Sequence, residues 1–176
     1  DIVWGRDITE NDYTYFLDFV ERGKKNAFAS SIGECSAEKD EEKIVTLLKS
    51  FNNISVREKD AQEWLEHLTG KKIEWVCDPT MLLEKTEWME YIPPVTYNDE
   101  FVLVYFRDTE GKCLDDAKKY AHQHNLKVYC INYERPIKGV RNVKPSSLNE
   151  FLGMIMSAKM IFTASYHGML FSLYFN

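Results

Sequence analysis

The sequence predicts an α/β fold made of two Rossmann-like parallel-sheet units, on the strength of three observations. Apolar runs of strand length alternate with amphipathic runs of helix length along most of the chain. The alternation lapses once, at "MEYIPPVTYN", where Pro93 and Pro94 exclude a helix and suit a semi-rigid linker, and then begins again. With 176 residues, 44% of them hydrophobic and 28% charged, the chain has the make-up of an ordinary globular protein and can fill one sizeable core or two small ones.

In the first half, strands are expected at Ile2 to Trp4 and at Ala27 to Ser31. "EEKIVTLLKSF" sets Ile44, Leu47, Leu48 and Phe51 on one helical face. A short strand follows at Ile54 to Val56. "DAQEWLEHLTG" then predicts a helix, with Asp60 and Glu63 in capping-box spacing and Gly70 as its terminator. Ile73 to Cys77 closes this half as a strand. Strands this short, separated by helices of this size, imply right-handed βαβ units.

The second half repeats the scheme without repeating the sequence. "FVLVYF" predicts a buried strand, "LDDAKKYAHQH" a helix, "LKVYCIN" a strand, and "SLNEFLGMIMSA" a helix whose Ser147 and Glu150 have capping-box spacing. A strand at Met160 to Ala164 and the start of a buried helix complete it. The expected organisation is a first unit over 1–92, a linker over 93–98 and a second unit over 99–176. The chain opens on "DIVWG" inside a strand, without an initiator Met, and closes on "LYFN" inside a helix, so truncation at both ends is expected. Apolar surface around Phe171 and Phe175 would then be exposed.

Composition limits the partners. A net charge of −6 and a pI near 5.3 argue against a nucleic-acid surface, which needs clustered Lys and Arg. Any anionic ligand must be held by a local pocket. The four cysteines, Cys35, Cys77, Cys113 and Cys130, form no C-x-x-C pair, so neither zinc nor redox chemistry is signalled. Cys77 and Cys130 lie in apolar runs and are expected as buried thiols, with a reducing, cytoplasmic setting as the default. No apolar run is long enough for a transmembrane span, and no signal peptide opens the chain.

In parallel α/β sheets, ligands gather where strands end. The residues just past the expected strands are Asp7, Arg57, Asp78, Arg107, Ser165 and His167. Charged groups thus recur at this edge in both halves, and the two edges are expected to line one cleft. The sharpest stretch is "IFTASYHGMLFSLYF", where Ser165 to Gly168 interrupt two apolar runs and place His167 in a strand-to-helix turn, next to the free N–H groups of a helix start. Arg57 and His167 together suit a phosphate or carboxylate. Each residue also has a plainer role open to it. His167 can bond a backbone carbonyl in a turn, Arg57 can belong to a solvated charge run with Glu58 and Lys59, Ser165 can cap the helix, and Asp78 can fix a turn before Pro79. His122 and His124, near the end of a polar helix face, are assigned no role.

Four blocks, "AFASSIG", "ISVREKD", "DPTMLL" and "PSSLNEFLGMIMSAKMIFTASYHGMLFSLYF", resemble successive blocks of the polysaccharide pyruvyl transferase family, in the family's order and across nearly the whole chain. The resemblance implies a two-domain fold similar to the GT-B glycosyltransferases. It also implies transfer of an enolpyruvyl-derived group from phosphoenolpyruvate to a sugar, leaving a pyruvate ketal and inorganic phosphate. By position, His167 corresponds to the His of the family's Ser-Phe-His-Gly block, with Tyr166 in place of Phe, and Arg57 to the Arg of its Ser-Val-Arg-Glu block. His167 is the expected proton donor, while Arg57, Ser165, Gly168 and Asp7 are the expected substrate-binding residues. "GRDITEN" keeps only Gly5, Asp7 and Asn11 of the family's opening block. No metal and no cofactor are expected beyond phosphoenolpyruvate as donor substrate. The expected acceptor is a saccharide of a cell-surface polysaccharide, lipid-linked or free. Two alternatives stay open: a GT-B nucleotide-sugar glycosyltransferase, and a non-catalytic sugar- or anion-binding relic.

Overall fold

The computed structural model describes residues 2–5, 9, 12–21, 23–33, 41–106, 111–133 and 135–175. The chain divides into two compact units, Asp1–Leu82 and Leu83–Asn176. Each is a mixed α/β unit around an all-parallel sheet.

In the first unit, β1 (Asn26–Ser30), β2 (Asn53–Val56) and β3 (Glu74–Trp75) lie in that order, connected by α1 (Glu41–Lys49) and α2 (Lys59–Thr69). Ile44 and Leu48 of α1, Ala61 and Leu65 of α2, and Ile54 and Val56 of β2 form one core with Trp4, Phe16, Phe51 and Ile73. Helix α1 carries Glu41 and Glu42 in its first turn and Lys49 in its last, matching the helix dipole. Gly70 ends α2 at φ +68, with its N–H bonded to Glu66 O, as its position in the sequence predicts.

The second unit orders its strands β6-β5-β4-β7, with β4 at Phe101–Tyr105, β5 at Lys127–Ile131, β6 at Arg141–Val143 and β7 at Met160–Thr163. Its helices are α3 (Lys85–Tyr91), α4 (Lys112–Gln123), α5 (Leu148–Ser157) and α6 (Tyr166–Phe175). Side-chain alternation splits its core in two. Phe101 and Leu103 of β4, with Tyr129 and Ile131 of β5, meet Leu152, Phe171 and Phe175 of α5 and α6. Val102, Val104 and Cys130 point the other way, onto Leu114, Ala117 and Ala121 of α4. A strand covered on both faces must be apolar throughout, hence the unbroken "FVLVY".

Several expectations are corrected. Ile2 to Trp4 is not a strand. Trp4 N donates to Ser31 O, and the Trp4 ring stacks on Phe16 at 5.7 Å. Asp60 and Glu63 do not form a capping box, because α2 starts earlier: Glu58 is extended, occupies the N-cap, and accepts from Gln62 N through its own carbonyl. Ser147 does cap α5, accepting from Glu150 N at 3.2 Å, while the Glu150 carboxylate reaches Ser146 N and not Ser147 N. Cys77 is exposed, since β3 ends at Trp75; Cys130 is buried. Phe171 and Phe175 are only 6% and 5% exposed. The apolar surface of α6 lies instead at Tyr166, Met169 and Leu173. The chain divides between Leu82 and Leu83, ahead of the Pro93–Pro94 pair, and Trp88 and Ile92 pack against the second core while Asn149 Nδ2 donates to Pro93 O. Among the described residues no helix is long and apolar enough to cross a membrane.

Candidate functional site

Strand order decides where the second unit can hold a ligand. The chain leaves β4 for α4 on one face of the sheet, and leaves β7 for α6 on the other face, although β4 and β7 are neighbours. That makes the C-terminal ends of β4 and β7 a topological switch point, the crevice where open α/β sheets bind ligands. Ser165 and His167 stand there. His167 lies inside the first turn of α6, one residue past its start, rather than in the turn before it.

A short relay fixes this edge. Thr163 Oγ1 donates to Tyr105 O at 2.7 Å and accepts from Ser165 N at 3.0 Å, tying the ends of the paired strands to the helix start. Ser165 Oγ accepts from Gly168 N at 3.2 Å, so Ser165 caps α6, a role compatible with ligand binding. Gly168 is required by packing. A Cβ there would meet Thr163 Oγ1 at 2.6 Å and Tyr105 Cδ1 at 2.9 Å. The half-buried His167 ring stands edge-on to Tyr166, with centroids 5.4 Å apart.

At the corresponding edge of the first unit, Arg57 is not an open fork. Its side chain is 6% exposed, with Nη1 donating to Asp78 Oδ2 at 2.6 Å and Nε to Glu58 Oε1 at 3.3 Å. Asp78, 1% exposed, also accepts from Thr80 N and Thr80 Oγ1 through Oδ1, and so fixes the turn at Pro79 as well as the guanidinium. Ser31, just past β1, donates to Glu58 Oε1. Asp7 and Arg107 fall outside the described residues. Ser31, Glu58, Thr80 and Thr163 were not singled out from the sequence. Ser31 and Glu58 satisfy the same strand-end rule that selected Arg57, whereas Thr80 and Thr163 are recognisable only from their hydrogen bonds.

A family model described as Polysaccharide pyruvyl transferase matches residues 3–176. The chain belongs to the polysaccharide pyruvyl transferase family. Searches of curated proteins and of solved structures gave no match. Membership makes the protein a transferase of polysaccharide pyruvylation at the level of the family, and points to a saccharide as acceptor. Within this pyruvyl transferase family member, the Ser-Tyr-His-Gly block is the turn and first helical residues at the switch point, and the Ser-Val-Arg-Glu block is the end of β2 running into α2.

Proposed function

We propose that the protein transfers an enolpyruvyl-derived group from phosphoenolpyruvate to a sugar of a cell-surface polysaccharide, within a GT-B-like arrangement, to give a pyruvate ketal. The supporting observation is the position of His167 in the first turn of α6 at the switch point, in a chain that belongs to the polysaccharide pyruvyl transferase family. Ketal formation needs a proton on the vinyl carbon, addition of a sugar hydroxyl at the neighbouring carbon, and displacement of phosphate by a second hydroxyl. One hydroxyl proton balances the new methyl group, and the other leaves with phosphate as hydrogenphosphate. His167 is the proton donor, a role suited to a side chain that titrates near neutrality. Ser165, Gly168 and the first-turn N–H groups of α6 hold the departing phosphate. Arg57 and Asp7 belong to the substrate-binding set on the first unit.

The test is phosphate release from phosphoenolpyruvate by the intact protein with candidate saccharides present. His167→Gln keeps a hydrogen-bonding side chain and cannot donate a proton at useful pH. Turnover should fall by about 10²-fold or more, with a smaller effect on donor binding and loss of the basic limb of the rate profile. A variant that keeps its turnover and that limb would show that His167 is not the acid. Stabilisation by uridine or guanosine diphosphate in place of phosphoenolpyruvate would select a nucleotide-sugar donor instead.

A further inference from the structure

The two faces of the first sheet differ in kind. Helices α1 and α2 both pack on one of them, in a core with Ala27, Ile54 and Val56. The other face carries the alternate residues of the same strands: Asn26 and Phe28 of β1, Asn53 and Ser55 of β2, and Glu74 of β3. Strand register sets Asn26 beside Asn53 and Ser55 beside Glu74. A strand covered by helices on both sides is apolar throughout, as β4 is in the second unit. In "NISV" of β2, polar and apolar residues alternate instead. The outer face of this sheet is therefore built for water or a polar ligand and not for another helix.

A cleft of about 600 Å³ opens on that face, and among the described residues its lining comes from the strands and the loops that enter them. The volume falls in the range of small-molecule sites, roughly 300–1,000 Å³. Ser55, 6% exposed, forms the floor. Its Oγ accepts from Ala29 N at 3.0 Å and donates to Ala27 O at 3.3 Å, bridging the register shift in β1. A residue this small leaves a trough between Glu74 and Phe28, and the Phe28 ring, in the middle of its strand, is 58% exposed. The amides at the rim are held by bonds of their own. Asn53 Nδ2 donates to Asn26 Oδ1 at 2.8 Å, and Asn52 Oδ1 accepts from Lys25 N at 3.1 Å. Those bonds leave Asn53 Oδ1 as an acceptor and Asn52 Nδ2 as a donor without a partner among the described residues, beside the exposed Lys72 and Glu74. Lys71 Nζ, by contrast, is taken up by Lys49 O and Phe51 O.

Fixed amide donors and acceptors around an open aromatic ring match a ligand with many hydroxyls and an apolar ring face. A sugar has both. We infer that this cleft is a saccharide-holding site, which grips a stretch of the acceptor glycan by its hydroxyls and ring faces and performs no chemistry on it. It lies on the sheet's outer face toward the beginnings of the strands, whereas Arg57 follows the end of β2. The inference rests on the cleft's lining and on the saccharide acceptor that family membership points to, and it is independent of the donor and of the role of His167.

The experiment titrates the intact protein, without phosphoenolpyruvate, with neutral oligosaccharides of glucose, galactose, mannose and N-acetylglucosamine, and follows binding by calorimetry. Phe28→Thr removes the ring and keeps strand propensity; it should weaken the oligosaccharide Kd by about tenfold. Asn53→Ala should weaken it by about fivefold, the scale of one hydrogen bond. The urea midpoint of Phe28→Thr should stay close to that of wild type, because the ring is already exposed. A wild type that binds no member of the panel overturns the inference, and an unchanged Kd in Phe28→Thr does so too, since the sugar is then bound elsewhere. A large drop in the Phe28→Thr midpoint would show that polypeptide covers the ring in the intact protein, and displacement of the sugar by inorganic phosphate would make this an anion site at Lys72; either result overturns the assignment. Oligosaccharide binding that depends on Phe28, in a protein that releases no phosphate from phosphoenolpyruvate, would sink the pyruvyl-transfer reading and leave this site standing.

Discussion

Gly168 shows how the lack of a side chain can position a site. Any larger residue there must push against Thr163 Oγ1, held by its hydrogen bond to Tyr105 O, and against the Tyr105 ring, which stands edge-on to Phe151. Gly168→Ala should therefore cost about 1–3 kcal/mol in urea unfolding, the usual effect of overpacking a tight contact, and a cost near zero would mean that the helix start shifts freely. Arg57 poses the opposite problem, since its burial beside two carboxylates makes it structural as well as part of the proposed substrate side. Arg57→Ala breaks a buried ion pair with Asp78 and should cost about 3–5 kcal/mol, whereas the Arg57→Ala/Asp78→Ala double variant should lose less than the sum of the singles. Additive losses would show that the pair is not coupled. The places of His167, Ser165 and Arg57 just past strand ends were legible in the sequence because the apolar runs before them mark the strands. Glu58 was not, because a Glu after an Arg in "VREKD" looks like a solvated charge run until the fold turns it inward.

Among elements, β4 was the most legible and β6 the least. Five consecutive apolar residues, rich in β-branched and aromatic side chains, have the length and composition of a strand covered on both faces, whereas Arg141–Val143 and Glu74–Trp75 are too short to show a period. Helix α3 was missed although its own capping box, Glu84 with Glu87, marks its start. What joins β6 to its neighbours is polar. Asp99, just before β4, accepts from Lys127 Nζ at 2.7 Å, from Tyr129 Oη, and from Arg141 Nη1 at 3.2 Å. The hydrogen bond from Lys127, then that from Tyr129, hold the Asp99 carboxyl below its usual range, while burial, then the bond to Asp99, pushes the Tyr129 hydroxyl up. The folded protein thus keeps Asp99 charged at a pH where the unfolded chain has already taken up the proton. Its stabilisation is present above about pH 4 and is lost as pH falls through the lowered value. In urea titrations, the advantage of wild type over Asp99→Asn should hold from neutral pH down to about pH 5 and shrink as pH falls through about 4 toward about 2. An advantage that does not change with pH would mean that the network contributes through packing alone.

On the scale of the whole molecule, the sequence located a change of unit but tied it to the most visible punctuation. Pro93 and Pro94 look like a linker, yet the compact division falls between Leu82 and Leu83. The contacts explain the shift. The Trp88 ring stands edge-on to Phe171 at 5.4 Å, Tyr97 to Phe101 at 6.1 Å, and Ile92 packs into the same core. Val95 N donates to Asn149 O, Lys85 Nζ to Phe175 O, and Tyr174 Oη to Leu83 O. Gly153, buried in α5, lies where a side chain would collide with the Val95 carbonyl, so the proline segment is seated against that helix. These residues were illegible as part of the second core because their apolar positions follow no single period, and the prolines deny them any regular element. The division makes a direct prediction about fragments. Residues 83–176 carry every side chain of that core and should unfold cooperatively in urea, while residues 99–176 lose Trp88, Ile92 and Tyr97 together with four backbone anchors. At about 1.5–3 kcal/mol for a large side chain fully removed from its core, and about 1 kcal/mol for a hydrogen bond, the shorter fragment should be less stable by at least 3 kcal/mol, even though these side chains are only partly buried. For a unit of this size that is a large share of the total, so fragment 99–176 should show either a much lower urea midpoint or no cooperative transition. Equal midpoints for the two fragments would place the boundary at the prolines after all, and would make the packing of Trp88 on Phe171 incidental to the fold.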